Sequence, residues 1–190
     1  TTLYVFIRES LLMSKLSKHD WVSAGINQLK EHGPAGVSGE KIARRLDVTR
    51  GSFYHHFRSV DELVKLMLEF WEQTQTTDIL NRSNQDYEDL NEKMTMLLES
   101  AWNTDADLEI AIRQWAFTNA TVRQHVERID QIRLGYISAI YSQLVNDPKR
   151  GPKLGKIAYY GLLGALHAWP RFTKNRLRDT ILEIQEMLTE

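Results

Sequence analysis

The chain has 190 residues, of which 42% are hydrophobic, 26% charged and 9% aromatic. That is enough apolar material for a folded core, and 10 Gly and 4 Pro among abundant aromatic residues exclude collagen-like and disordered classes. With no cysteine, disulfide frameworks, zinc fingers, iron–sulfur centres and thiol nucleophiles are excluded as well.

The net charge of −1 conceals a polarity. Residues 15–58 hold eight Lys/Arg against four Asp/Glu, whereas residues 59–190 hold fifteen against twenty. A basic head on an acidic body points to a polyanion met by the head alone. At the N-terminus the apolar run at residues 3–7 is too short to span a bilayer and lacks the flanks of a signal peptide. Met13 reads as a start, which makes residues 1–12 an expected extension outside the fold. A cytoplasmic protein with no membrane partner is expected.

Period-3.6 patterning dominates and no strand-like alternation stands out, so the expected class is all-α with about nine helices. Ser17 and Asp20 form a capping box for a helix over 18–32, with a stripe of Val22, Ile26 and Leu29 beside Trp21 and a stop at Gly33-Pro34. Ser38 caps a short second helix carrying Ile42, Ala43 and Leu46. Asp47-Val48 makes a turn in which Asp47 occupies a position that wants positive φ. Thr49 caps a third short helix ending near Phe57. Ser59 and Glu62 read as another capping box, opening a fourth helix with the stripe Leu63, Leu66, Met67, Phe70, Trp71. The polar stretch 81–86 is expected to part the head's helices from those of the body, and the domains are expected at 13–62 for the DNA-binding head and 63–190 for the effector-binding and dimerisation body. Body helices are expected over 86–102, 105–118, 120–146, 153–171 and 175–189, with a loop over 147–152.

Two short helices joined by a tight turn make a helix-turn-helix. If Phe53 and Phe57 face inward, the outer side of the third helix offers Arg50, Ser52, Tyr54, His55 and His56, a donor-rich face sized for a major groove. Neighbouring His55 and His56 diverge by about 100° around a helix and cannot chelate one ion, so no metal is expected. Both imidazoles are expected to charge near neutral pH and tighten DNA binding as pH falls from about 8 to 6.

The segment Ile42-Ala43, Leu46-Asp47-Val48-Thr49-Arg50-Gly51-Ser52-Phe53-Tyr54-His55-His56-Phe57, followed by Asp61-Glu62-Leu63, resembles the DNA-binding head of the TetR family of bacterial transcriptional regulators. The resemblance covers about a quarter of the chain. It implies a homodimeric repressor on a near-palindromic operator, released by a small-molecule effector bound in the body. Carried over position by position, Ser38, Thr49, Tyr54 and Arg58 fall where phosphates are met, and Arg50, Ser52 and His55 where bases are read. Gly51 lets the backbone approach. Val60 stands where members often carry a phosphate-binding Lys.

In the body, Phe70, Trp71, Trp102, Trp115, Tyr136 and Tyr159 are candidate effector contacts. Arg113, Asp130 and Arg133 read as an internal ion pair, Arg113–Asp130, in preference to a grip on an anionic effector. His125 and His167 read as ordinary, partly buried side chains. Small residues at Gly161/Ala165 and Gly164/Ala168, with the stripe Leu177, Ile181, Ile184, Leu188, suggest a four-helix dimer face. No Gly-rich phosphate loop, metal constellation or nucleophile–base pair marks an enzyme, and no cofactor is implied. The competing reading is a helical protein–protein interaction module that does not bind DNA.

Overall fold

The computed structural model describes residues 16–189, so the expected extension over 1–12 lies outside the described residues. Nine helices and no strand are present among them. The head comprises α1 (Lys18–His32), α2 (Gly39–Arg45) and α3 (Arg50–His56). Next, α4 runs over Val60–Glu72, passes through one π-helical turn, Gln73–Thr77, and continues as Asp78–Asp86. The body adds α5 (Leu90–Trp102), α6 (Ala106–Ala116), α7 (Ala120–Leu144), α8 (Gly151–Leu166) and α9 (Lys174–Thr189).

Local chemistry sets these boundaries. The Ser17 hydroxyl accepts from the Asp20 amide and the Asp20 carboxylate accepts from the Ser17 amide, a complete capping box. Gly33 ends α1 at φ 65°. Asp47 sits at φ 54°, in the left-handed region where a side chain is strained. At α4 the expected reciprocal box is not formed. Ser59 accepts from the Glu62 amide, but the Glu62 carboxylate turns to the Arg58 amide and to Lys18 Nζ, both at 2.8 Å. The stretch 81–86 is helix, not a separator. It holds no Pro or Gly to break the turn, and Tyr136 Oη lies 2.8 Å from both Ser83 Oγ and Asn84 Oδ1, within hydrogen-bond reach of each. The eighth helix begins at Gly151, where a Cβ would lie 2.2 Å from Ser142 Cα, so α7 and α8 meet there backbone to backbone. It ends at Leu166 instead of 171, because Pro170 disfavours helical backbone at Trp169.

One core runs from the head into the body. Trp21, Ile42, Phe53, Phe57, Leu63 and Met67 share it with Trp71 on α4, Ile112 on α6 and Ile129 on α7. Val60 packs against this cluster and does not reach outward. Two smaller clusters fill the far body, where α9 lies across α5 and α8.

Candidate nucleic-acid interface and ligand cavity

The head is built around Trp21. Phe53 and Phe57 stand edge-on to its ring at 5.6 and 6.3 Å, and His56 leans on it at 5.7 Å. A Cβ on Gly39 would lie 3.0 Å from the Phe53 ring, so the small residue that lets α2 close on α3 is Gly39, with Ala43 buried beside it. Pinned in this way, α3 turns Arg50, Gly51, Tyr54 and His55 to solvent, with Thr49 and Arg58 exposed at its two ends. The Arg50 guanidinium lies 6.0 Å from the Tyr54 ring, and Tyr54 is 55% exposed. A side chain on Gly51 would meet only Thr49 Oγ1, at 3.6 Å, so its bareness matters only to something arriving from outside.

Two residues of the expected face lie elsewhere. Ser52 is 2% exposed, and its buried hydroxyl has no partner among the described residues. The buried stripe of α3 takes in Ser52 and Phe53 as well as half-buried His56 and buried Phe57, wider than two phenylalanines alone would require. His56 is held below the ordinary histidine value, first by burial and then by the charges of His55 and Lys18. Its imidazole therefore takes up less charge on the acid side than an ordinary histidine. Ser38 is half-buried and spends its hydroxyl on the Lys41 amide as the cap of α2.

A second site lies in the body, a cavity of about 160 Å3 between the π-helical turn of α4 and helices α5, α7, α8 and α9. Tyr136 and Tyr159 line it; Phe70, Trp71, Trp102 and Trp115 do not. Trp71 and Trp115 belong to the core shared with the head, Phe70 packs against that core, and Trp102 packs against the cluster under α9. The walls are mainly aliphatic, including Leu98, Ile137 and Leu162, and the headward end is polar, with Gln75, Thr76, Glu109 and Arg133.

Pattern reading missed Glu109, although a lone carboxylate inside the apolar run 108–112, four residues before Arg113, is a visible signal. Glu109 is 1% exposed. It accepts from Trp71 Nε1 at 2.8 Å, Arg113 Nε at 2.8 Å and Arg133 Nη1 at 2.9 Å. Burial alone would raise its pKa, but the charges of Arg133 and Arg113 and these bonds outweigh burial and hold it below the usual carboxylate range. Arg113 also grips Asp130 through both terminal nitrogens, at 2.9 and 2.6 Å, so the expected ion pair is present. Tyr159 Oη donates to Asp130 at 2.6 Å. Arg133 ties the π-helical turn with Nε to Thr76 Oγ1 at 2.8 Å and Nη2 to the Gln75 carbonyl at 3.1 Å.

Most of the expected dimer face is consumed within the chain. Leu177, Ile181 and Leu188 are buried, as is Ala165; Ala168 and Ile184 are half-buried. A Cβ on Gly161 would come within 2.9 Å of Ile184 Cδ1, so that glycine seats α9 on α8 of the same chain. A hydrophobic stripe reveals which face is buried but not which chain covers it. Gly164 alone of the set opens to empty space. His125 is half-buried, 3.1 Å from Glu72, whereas His167 is exposed and caps back to the Leu163 carbonyl.

Residues 22–67 match the N-terminal model of bacterial regulatory proteins of the tetR family. Helix-turn-helix-type transcriptional regulators of Mycobacterium bovis and Mycobacterium tuberculosis are 31% identical to this chain over 99 residues, which is 52% of this chain and 38% of each relative. The chain thus spans under two fifths of the length of those relatives. A transcriptional regulator from Rhodococcus sp. Rha1 shares the fold with a TM-score of 0.68 at 18% identity, over 91% of this chain and 96% of that one. A TerR/AcrR-family regulator from Aquifex aeolicus VF5 does so with a TM-score of 0.69 at 17% identity, over 90% and 98%. Residues 22–67 thus match the head of bacterial regulatory proteins of the tetR family, and the chain as a whole shares the fold of these solved structures.

Proposed function

We propose that the chain is a sequence-specific DNA-binding transcriptional repressor that acts as a homodimer on a near-palindromic operator and is released by a small molecule. The observation that carries this reading is the outer side of α3, where Arg50, Tyr54 and His55 are exposed behind an anchored aromatic core. A seven-residue rod of this kind fits a major groove. Arg50 suits a guanine edge; Tyr54, Arg58 and Thr49 suit phosphates. Ser38 contributes chiefly as the cap of α2, and Ser52 packs inside the head.

Self-association would use what the fold leaves uncovered. Ile157 and Tyr160, 55% and 52% exposed, and Gly164 lie at i, i+3 and i+7 on α8. Release would run through the π-helical turn. A ligand in the cavity competes for Arg133, which ties Thr76 and the Gln75 carbonyl, and α4 carries the change to the buried Trp71 and the head.

The test is selection of the purified protein on randomised duplexes. Enrichment of one inverted-repeat sequence supports the reading. Retention of random duplexes without preference contradicts it, and failure to retain any duplex leaves a protein-docking role for the head.

A further inference from the structure

We propose that the body cavity takes a small, uncharged, mainly apolar molecule with one hydrogen-bond-accepting group, an aryl ketone or ester in type, and excludes ions of either sign. The inference rests on the reading of this cavity as the effector site.

Size comes first. A dry apolar cavity of about 150 Å3 holds one benzene ring, and the space here is about 160 Å3. The second consideration is charge. Arg133 and Glu109 line its headward end, and Arg113 and Asp130 are bonded to Glu109 and to each other outside the lining, so the cluster of two arginines and two carboxylates is balanced. An anion entering there would find guanidinium groups already neutralised. A cation would find Glu109 already accepting from Trp71, Arg113 and Arg133, which leaves its oxygens little room for another donor. Either ion would be desolvated without a counter-charge, at a cost that aliphatic walls cannot offset.

Hydrogen-bonding sense comes third. Three groups of the polar end are donors. Arg133 has five N–H groups, of which those bonded to Thr76, the Gln75 carbonyl and Glu109 are shared with the protein, and the Tyr159 hydroxyl lies beside it. The Thr76 hydroxyl accepts from Arg133 and keeps its own proton. The side-chain oxygen of Gln75, which lines the cavity, is taken by Thr104 and Asp105, so this residue has only NH2 protons left to offer. Donors on the wall call for an acceptor on the ligand.

Four probes that share a phenyl ring and a non-hydrogen atom count separate the possibilities: acetophenone, cumene, benzoate and 1-phenylethylammonium. Each is offered at millimolar concentration to the full chain, with binding read by saturation-transfer NMR and by the unfolding midpoint. Acetophenone is expected to bind about tenfold more tightly than cumene, the loss of one hydrogen bond, and neither ion should bind measurably. Ala101→Leu and, independently, Ala158→Leu, which fill the cavity, should abolish the acetophenone signal. Equal binding of cumene, or binding of either ion as strong as that of acetophenone, overturns the ligand class while the cavity reading stands. Failure of all four, or acetophenone binding that survives both filling variants, overturns the cavity reading itself.

Discussion

Arg50 and Ser52 are two residues apart on α3 and face opposite ways, one into solvent and one into the head. Polarity alone points both outward, because a serine on a short helix carries no packing signature, whereas the apolar Phe53 and Phe57 mark the buried side. Ser52→Ala removes a buried hydroxyl with no partner, so stability should be unchanged or rise by up to about 1 kcal/mol in urea unfolding, with DNA affinity unaltered. A large loss of affinity would return Ser52 to the interface. His56 and His125 both have pKa values lowered chiefly by burial, so the folded chain binds fewer protons than the unfolded one between each folded value and the ordinary value near 6.5. Stability from these two groups is therefore full above that ordinary value and declines as pH falls through the window beneath it. Urea midpoints at pH 7.5 and 5.5 should show the decline, and His56→Asn with His125→Asn should flatten it; a midpoint that rises on acidification contradicts the assignment.

Elements were legible where a cap, a stop or a clean stripe coincided, as in α1, whose expected range 18–32 is the observed one. They were illegible where the cause was tertiary. The π-helical turn over Gln73–Thr77 has no sequence mark; its carbonyl and hydroxyl groups are gathered by Arg133 from α7. The polar end of α4 stays helical because nothing in it breaks a helix, and polarity told only of exposure. Glu109 is the knot that joins these elements, bonded at once to α4, to its own α6 and to α7. Glu109→Gln leaves Arg133 buried without its counter-charge and should cost about 3 kcal/mol in urea unfolding. A cost under about 0.5 kcal/mol, the range of ordinary surface substitutions, would deny it that role.

For the whole molecule, the all-α class, the head and the helical body were readable because each rests on local periodicity. The partner of each face was not, because the α9 stripe serves its own chain, while Ile157 and Tyr160 on α8 are among the large apolar residues left exposed. If the proposed dimer forms through this face, Ile157→Asp should convert it into a monomer by light scattering and weaken operator binding, since two recognition helices would no longer bind as one unit. A variant still dimeric with undiminished affinity would place the contact elsewhere. The central claim, that the outer side of α3 reads a duplex, is tested most directly by one titration. Anisotropy of the selected duplex is followed with wild type and with Arg50→Ala, from 50 to 200 mM salt. The account predicts a steep salt dependence for wild type and a loss of about 1–3 kcal/mol in Arg50→Ala, with relaxed preference at one base position. Identical curves for the two proteins would contradict it.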